Sequence, residues 1–334
     1  MKIIDDISKV DIEQWNALLQ SSSTKNIFQT QMWFDFCAKQ ALFETFIYGI
    51  VDDNDILKGV IVGYVQKEGR GIKGILTRRA IIIGGPLFSN NISDYEVSTL
   101  FKSLINGLKN KVIYIEIRNL LDYSIYKKTI IDSGFTYVPH LNFHIDTSSS
   151  EVVTKNLHRN KKRQIKSSEN QGVIIEPALS KNDVETFYKM LKRMYIERVK
   201  TPLPSYSFFE SLYNEKFAKF LIVKKDSKII GGLVVLTLEK DTIYQYYMCG
   251  EDGIYPNVYP SVMATYAGIN YAITNGCAKC DLMGAGRPDE DYGVRNFKAG
   301  FGGQLVEHGR YCFVYRPLLY EFGKLGVKLL RKFK

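Results

Sequence analysis

The same order of elements is run twice along this chain, and any fold it adopts has to accommodate both runs. In the first, Thr45–Val51 and Ile56–Val65 read as strands joined by the turn-rich Asp52-Asp53-Asn54-Asp55. A third apolar run, Ala80–Ile83, ends at Gly84-Gly85-Pro86. Ser93 and Glu96 have capping-box spacing and open a helix whose stripe is Val97, Leu100, Phe101, Leu104 and Leu108. Val112–Ile117 reads as a buried strand, followed by a short helix near 122–132 and a strand over 135–145. In the second run, helices are expected over 151–169 and 181–199, then strands at Phe220–Val223, Ile229–Leu238 and Thr242–Met248. Ser261 then caps a helix that turns Val262, Tyr266, Ile269 and Ile273 inward and stops at Gly276, and a strand follows over 278–283. The two orders align at an offset of roughly 170 residues, a duplication of architecture rather than of letters. Three antiparallel strands, a helix and a further strand in each half predict an α+β fold with mixed, mainly antiparallel sheets flanked by helices. The halves are drawn at 1–146 and 147–316.

Composition narrows the partners. The net charge is +10 and the pI about 9.1, which suits an anionic partner: nucleic acid, an anionic membrane face or a phosphate-bearing substrate. Five cysteines, an odd number, argue against a disulfide framework. Cys277-Ala278-Lys279-Cys280 has CxxC spacing, but no second pair and no neighbouring histidine complete a zinc site, so no metal is expected. Met1 leads directly to Asp5 and Asp6, and no run reaches the ~20 apolar residues of a spanning helix, so a cytoplasmic protein is expected.

The stretch from Asp281-Leu282-Met283-Gly284-Ala285-Gly286 to Phe297-Lys298 and Gly300-Phe301-Gly302-Gly303 carries the densest chemistry. Its glycines let the backbone approach a ligand, and Lys298 between Phe297 and Phe301 suits a partly dehydrated charge stabiliser; a turn-rich loop with a helix-capping lysine is the plain alternative. This stretch resembles the signature of the FemAB/FemX family, and Phe28-Gln29-Thr30-Gln31-Met32-Trp33 is similar to that family's Phe-Gln-x-x-x-Trp opening. A lysine shortly after the family's tryptophan holds substrate; Lys39 is out of place for it. The resemblance implies two GNAT-like acyltransferase domains in tandem, facing across a cleft, with the tail 317–334 completing the first. It implies an aminoacyltransferase of peptidoglycan or other cell-wall synthesis, moving an amino acid from aminoacyl-tRNA to an amine of a nucleotide- or lipid-linked precursor. No cofactor is then needed.

Within that reading Lys298 is the catalytic residue, stabilising the oxyanion as the acceptor amine attacks the donor ester, with Asp281 or Asp289 assisting proton removal. Phe297 joins the substrate site. Arg159 and Arg163 belong to a basic run with Lys155, Lys161, Lys162 and Lys166, placed to meet phosphates of tRNA or precursor, or simply a solvated helix face. Arg198 continues the stripe of Leu191 at i+7 and is expected to face inward, matching a substrate-binding arginine of the family. Alternation puts Tyr244 and Tyr246 on one strand face and Tyr247 on the other, with Tyr246 or Tyr247 lining the acceptor site. None of the four histidines shows a partner, and none is given a role.

Two other functions compete. GNAT enzymes also take acyl-CoA, here to N-acylate an amino sugar of a surface polysaccharide. The Arg/Gln-x-x-Gly-x-Gly/Ala turn that cradles CoA pyrophosphate is absent from Gly250–Pro260, where Glu251 and Asp252 stand instead. A non-catalytic RNA-binding module would show aromatic and basic residues interleaved on a sheet, and no such pattern appears. Finally, Leu318, Leu319, Phe322, Leu325, Leu329 and Phe333 alternate with Lys324, Lys328, Arg331 and Lys332, an amphipathic helix that folds back on the first domain or touches an anionic membrane.

Overall fold

The computed structural model describes residues 1–67, 74 and 77–333. Contacts divide the chain into two units, one made of Met1–His140 with His308–Leu329, the other of Leu141–Glu307 with the residues from Leu330.

In the first unit, β1 (Lys2–Ile4) precedes helix α1 (Ile12–Ser21) and helix α2 (Gln31–Ala38). Asp11 caps α1 by accepting the backbone N–H groups of Glu13 and Gln14, and Thr30 caps α2 by accepting that of Trp33. Strands β2 (Phe43–Val51), β3 (Leu57–Gln66), β4 (Arg79–Gly84) and β5 (Leu87–Phe88) follow. Helix α3 (Asp94–Leu108), β6 (Tyr114–Asn119), α4 (Lys127–Asp132) and β7 (Thr136–Val138) complete the N-terminal part. The capping box of Ser93 and Glu96 forms as its spacing predicts. The stripe of α3 packs on Ile61, Val65, Ile82, Ile115 and Ile117. Burying each such side chain is worth roughly 1.5–3 kcal/mol, which makes this face the mainstay of the unit.

The Phe-Gln-x-x-x-Trp opening is part of this core. Phe28 and Gln29 are fully buried, and the Phe28 ring meets the Trp33 ring edge-on at 5.0 Å. Strands β3 and β4 pair only from Tyr64–Gln66 to Arg79–Ile81. Beyond that point the Gln29 amide bridges them, donating to Val62 O at 3.1 Å and Ile83 O at 2.9 Å and accepting from Val62 N at 2.9 Å. Lys39 lies exposed just after α2.

In the second unit, β8 (Leu141–Asp146) leads to α5 (Ser150–Asn156), α6 (Arg159–Asn170), β9 (Ile174–Pro177), α7 (Lys181–Met194) and α8 (Tyr206–Tyr213). Strands β10 (Ala218–Lys225), β11 (Lys228–Leu238) and β12 (Thr242–Gly250) form the antiparallel set. Helix α9 (Pro260–Thr274), β13 (Lys279–Asp281), α10 (Gly293–Ala299) and β14 (Gln304–Glu307) follow. The chain then returns to the first unit with β15 (Arg310–Val314) and α11 (Pro317–Phe333). Helix α9 buries Val262, Met263, Ala264, Ala267 and Ile269 against Leu233, Val235, Ile243 and Cys280. Gly268 permits this approach, because a Cβ there would sit 2.6 Å from Leu233 and 2.7 Å from the Gln245 amide.

The duplication is closer than the element order suggested. The sheets run β1-β2-β3-β4-β6-β15-β7 and β9-β10-β11-β12-β13-β8-β14, with β4–β6 and β12–β13 as the parallel pairs. The strand expected over 135–145 is two strands: β7 stays in the first sheet, and β8 enters the second beside β13. At the end of the second half β15 enters the first sheet beside β6. These exchanges move the boundaries to 140/141 and 307/308 from the expected 146/147 and 316/317.

Three further expectations are corrected. The helix over 151–169 is broken, because the His158 N–H donates to Gly300 O at 3.0 Å and its ring caps a new helix. Ser261 is not the cap of α9; Pro260 opens the helix, and Tyr259 holds the cap position. The helix over 181–199 ends as an α-helix at Met194 and widens into a π-turn, Tyr195–Val199, closed by Lys200 in the left-handed region at φ 54°. For the tail expected over 317–334, residue 334 and the side chains from 327 on lie outside the described residues.

Candidate functional site

The two sheets differ at their parallel pairs. In the first unit β4 and β6 pair along six residues, Arg79–Gly84 with Tyr114–Asn119. In the second, β12 and β13 pair only at Thr242–Tyr244 with Lys279–Asp281, and β12 continues alone on that side to Gly250. The chain leaves β13 at Asp281 through a turn in which Met283, Gly284 and Gly286 take φ of 49°, 54° and 77°. Three left-handed residues so close together aim successive carbonyls inward.

Lys298 fills that turn. Its ammonium donates to Leu282 O at 2.7 Å and Gly284 O at 2.8 Å, and also to Met283 O. An ammonium has three N–H donors, so all are engaged. Burial pulls the lysine down to about 8, against the opposing pull of the Asp281 charge. One helical turn earlier, Arg295 donates to Ala285 O at 2.9 Å and to Arg287 O. Two cations of α10 therefore pin the glycine-rich turn from one side. The sequence places Lys298 facing an opening; the structure has it facing backbone oxygens.

Asp281 lies fully buried beneath the turn. Its Oδ1 accepts the Asn142 amide at 2.8 Å and the Met283 N–H at 2.7 Å, while Oδ2 stands 3.2 Å from His144 Nε2. His144 and Asp281 are cross-strand partners of β8 and β13, which puts both on one face. His144 thus gains a partner that the sequence did not reveal. Asp289 is exposed and paired with Arg287 at 3.0 Å, which separates it from Asp281.

Phe297 packs on Phe301 with ring centroids 5.3 Å apart, and Lys161 lies over the Phe297 ring at 3.9 Å. Burial lowers the Lys161 pKa. Of the basic run, Lys161 alone is drawn into this contact; Arg159, Lys162, Arg163 and Lys166 are exposed on α6 and form no ion pair among the described residues.

The strand of tyrosines departs from simple alternation. A bulge sets Val235 opposite Gln245 but Val234 opposite Tyr247, so Tyr246 is the extra residue. Tyr244 and Tyr247 therefore share a face, opposite to the expected pairing of Tyr244 with Tyr246. Tyr247 packs on Phe209 at 5.0 Å and on Tyr246 at 4.6 Å. Gln245 turns to the other face and donates to Thr265 O at 2.9 Å.

Arg198 is exposed rather than inward, since the π-turn rotates it off the stripe that Leu191 sets. With Met190, Arg193, Glu197, Cys249 and Asp252 it lines a cavity of about 190 Å³ at the end of β12. In the same region Glu251 pairs with Arg193, and Asp252 Oδ1 accepts the Ser261 N–H at the start of α9 at 3.0 Å. Arg198, Tyr246, Tyr247, Phe297, Lys298 and Asp281 all lie on elements of the second unit, Arg198 at the cavity and Lys298 with Asp281 at the turn after β13. Arg159 and Arg163 lie on α6 of that unit.

A repeated seven-strand order with one parallel pair per sheet, opened in one half by a bulge and a short ladder, is a tandem GNAT-like fold. Residues 215–328 match the FemAB family, so the resemblance read from Asp281 to Gly303 holds. Among solved structures, the chain is similar to FemX at 14% identity, with a TM-score of 0.72 over 96% of this chain and 99% of that one. It is also similar to a tandem GNAT protein from the clavulanic acid biosynthesis pathway, at 8% identity and a TM-score of 0.61, covering 94% and 98%. L-PGS from Bacillus licheniformis follows at 11% identity and 0.55, covering 92% of each chain. No curated protein matches the chain significantly. Among the described residues no helix is long and apolar enough to cross a membrane, and no group of side chains is arranged to hold a metal ion.

Proposed function

We propose that the protein is an aminoacyltransferase of cell-envelope synthesis, taking its amino acid from aminoacyl-tRNA and placing it on an amine of a nucleotide- or lipid-linked peptidoglycan precursor. The observation that carries this choice of donor is the Asp252–Ser261 hydrogen bond. In a GNAT fold the amides opening the helix after the central strands receive a phosphate when CoA is the donor. Here a carboxylate of the chain itself occupies one of them, and like charge repels a second anion. A donor that does not present pyrophosphate at that place fits better.

In the reaction, the acceptor nitrogen attacks the ester carbonyl of the aminoacyl group. Its excess proton passes to His144, which Asp281 orients, and from there to the departing ribose oxygen as the ester C–O bond breaks. The products are an amide on the acceptor and free tRNA. Lys298 exchanges one of its carbonyl partners for the oxyanion of the tetrahedral intermediate. Tyr246, Tyr247, Phe297 and Arg198 hold the acceptor, and Arg159 and Arg163 meet donor phosphates.

The test is to incubate the purified protein with a precursor peptide and, separately, a pool of charged tRNAs or a panel of acyl-CoAs, following the acceptor's mass. A gain of one aminoacyl residue with tRNA alone is expected, falling at least tenfold in His144→Asn. Acylation from CoA would overturn the proposal.

A further inference from the structure

The cavity at the end of β12 carries charged groups that the transfer chemistry leaves unused. One wall comes from the end of α7 and the π-turn, the other from the segment between Cys249 and Ile254. A π-turn adds a residue to a helix and shifts the side chains that follow. Here the Lys200 N–H donates to Tyr195 O at 2.7 Å, which closes the turn, and Glu197 and Arg198 stand exposed on the cavity lining. In the other wall the Glu251 N–H donates to Ile230 O at 2.9 Å, which ties that segment to β11. Gly250 brings it close to α9, where a Cβ would collide with Ser261 N.

The polar groups of the lining are unevenly satisfied. Glu251 keeps only 11% of its side-chain surface, and its Oε1 accepts Arg193 Nη2. Its Oε2 is buried and has no hydrogen-bond partner among the described residues. A carboxylate oxygen in that condition costs free energy until a donor reaches it. The last torsion of a glutamate is soft, so Oε2 can turn to a donor in the cavity while Oε1 keeps Arg193. Glu197 and Arg198 also form no ion pair among the described residues. Met190, Met194 and Ile254 supply an apolar patch. Burial, aided by the Glu251 charge, pushes the Cys249 thiol up, so this side chain lines the cavity as a neutral group and not as a nucleophile.

This mixture argues against the simpler ligands. A phosphate would meet Arg198 but also the like charges of Glu197, Glu251 and Asp252. A simple cation would meet Glu251 but leave Arg198 facing it. No group of described side chains is arranged to hold a metal ion. Size sets a further bound. The cavity of about 190 Å³ has room for roughly a dozen atoms of water size, well short of a nucleotide or a sugar diphosphate.

We propose that this cavity binds an α-amino acid, its ammonium at Glu251 Oε2 and Glu197, its carboxylate at Arg198, and an aliphatic side chain on Met190, Met194 and Ile254. Such a ligand brings both charges on one carbon, so each meets its counterpart at once. An arginine fork suits the planar carboxylate, and Arg198 has no other partner to give up. Arg198 is shared with the acceptor contacts proposed above, but binding of a free amino acid needs neither donor nor acceptor.

The test reads binding, not turnover. The full chain is titrated with L-leucine, leucinamide and N-acetyl-leucine at constant ionic strength, by calorimetry and by the shift in melting temperature. Leucine should bind saturably. Leucinamide lacks the carboxylate and N-acetyl-leucine the ammonium, so each should bind at least tenfold more weakly. Inorganic phosphate should not compete with leucine. Arg198→Gln should weaken leucine at least tenfold and erase its advantage over leucinamide. Arg198 is exposed, so the fold should persist, as circular dichroism would confirm. Glu251→Gln should weaken leucine at least tenfold and erase its advantage over N-acetyl-leucine. A merely structural Arg193–Glu251 pair predicts no such matching of variant to analogue. Absence of saturable leucine binding, either analogue equal to leucine, competition by phosphate, or unchanged affinity in either variant would each overturn the site. Should Glu251→Gln fail to fold, the Arg198→Gln result and the two analogues decide alone.

Discussion

Asp252 Oδ1 accepts the backbone N–H of Ser261 at 3.0 Å, so a carboxylate of the chain itself takes up an amide at the start of α9. Glu251, paired with Arg193, adds a second negative charge beside it. Acetyl-CoA is therefore expected to give no calorimetric isotherm at micromolar concentrations. A saturable isotherm there would show that the carboxylate is displaced, and would return acyl-CoA to the position of donor.

The exposed face of α6 makes a second expectation. Arg159 and Arg163 stand in its first two turns, where no acidic side chain offsets them. Cations at a helix N-terminus oppose the macrodipole, by roughly 0.3–1 kcal/mol each, so they add nothing to the stability of α6 there. Replacing both with Ala should leave the melting temperature unchanged or slightly higher. It should weaken tRNA binding and flatten the dependence of log K on log salt by about 0.7–0.9 per arginine. An unchanged salt slope would place the tRNA elsewhere.

These expectations rest on features that differ in how far they could be read in advance. The duplication was readable because each apolar stripe and turn lies within one element: Val97 to Leu108 on α3, or Ser93 with Glu96. What escaped reading depends on partners distant in sequence. His144 and Asp281 meet only because β8 joins β13 across more than a hundred residues, and nothing around His144 announces it. The division of 135–145 escaped too, since strand-forming residues continue through Tyr137 and Phe143 while the chain changes sheets. Tyr246 and Arg198 were misplaced for a shared reason. A single extra residue, in a bulge for one and a π-turn for the other, shifts every later side chain to a new face.

Helix α11 keeps an apolar edge in the open. Leu318, Phe322 and Leu325 retain 77%, 68% and 54% of their surface, while Tyr320 alone packs on Tyr114. Lys324 lies over the Tyr320 ring at 5.0 Å. An apolar edge beside basic residues suits peripheral contact with anionic lipid. Vesicles containing phosphatidylglycerol should float the protein, and neutral vesicles should not. Phe322→Ser with Leu325→Ser should abolish flotation without altering the melting temperature. Equal recovery on both kinds of vesicle would remove the membrane role.

Lys298 allows the sharpest test, because its activity and its stability contribution should move in opposite directions with pH. In the folded chain it titrates near 8, in the unfolded chain near the 10.5 of a free lysine. Between those values the unfolded chain binds more protons, so the contribution of this group to stability rises with pH across that window. Burying the charge is the unfavourable part, and the neutral amine still has two N–H donors for the three carbonyls. Turnover should do the reverse and fall as pH rises through about 8, when the cation that meets the oxyanion is lost. Lys298→Met removes every donor; it should cost about 1–3 kcal/mol of stability, as unsatisfied buried carbonyls do. Its transfer rate should drop by about 10²–10³. Lys298→Arg keeps its charge at all accessible pH, so whatever rate it retains should lose the fall near pH 8. Should Lys298→Met show the loss of stability while near-wild-type turnover persists, the lysine is a staple of the 282–284 turn and no part of the chemistry.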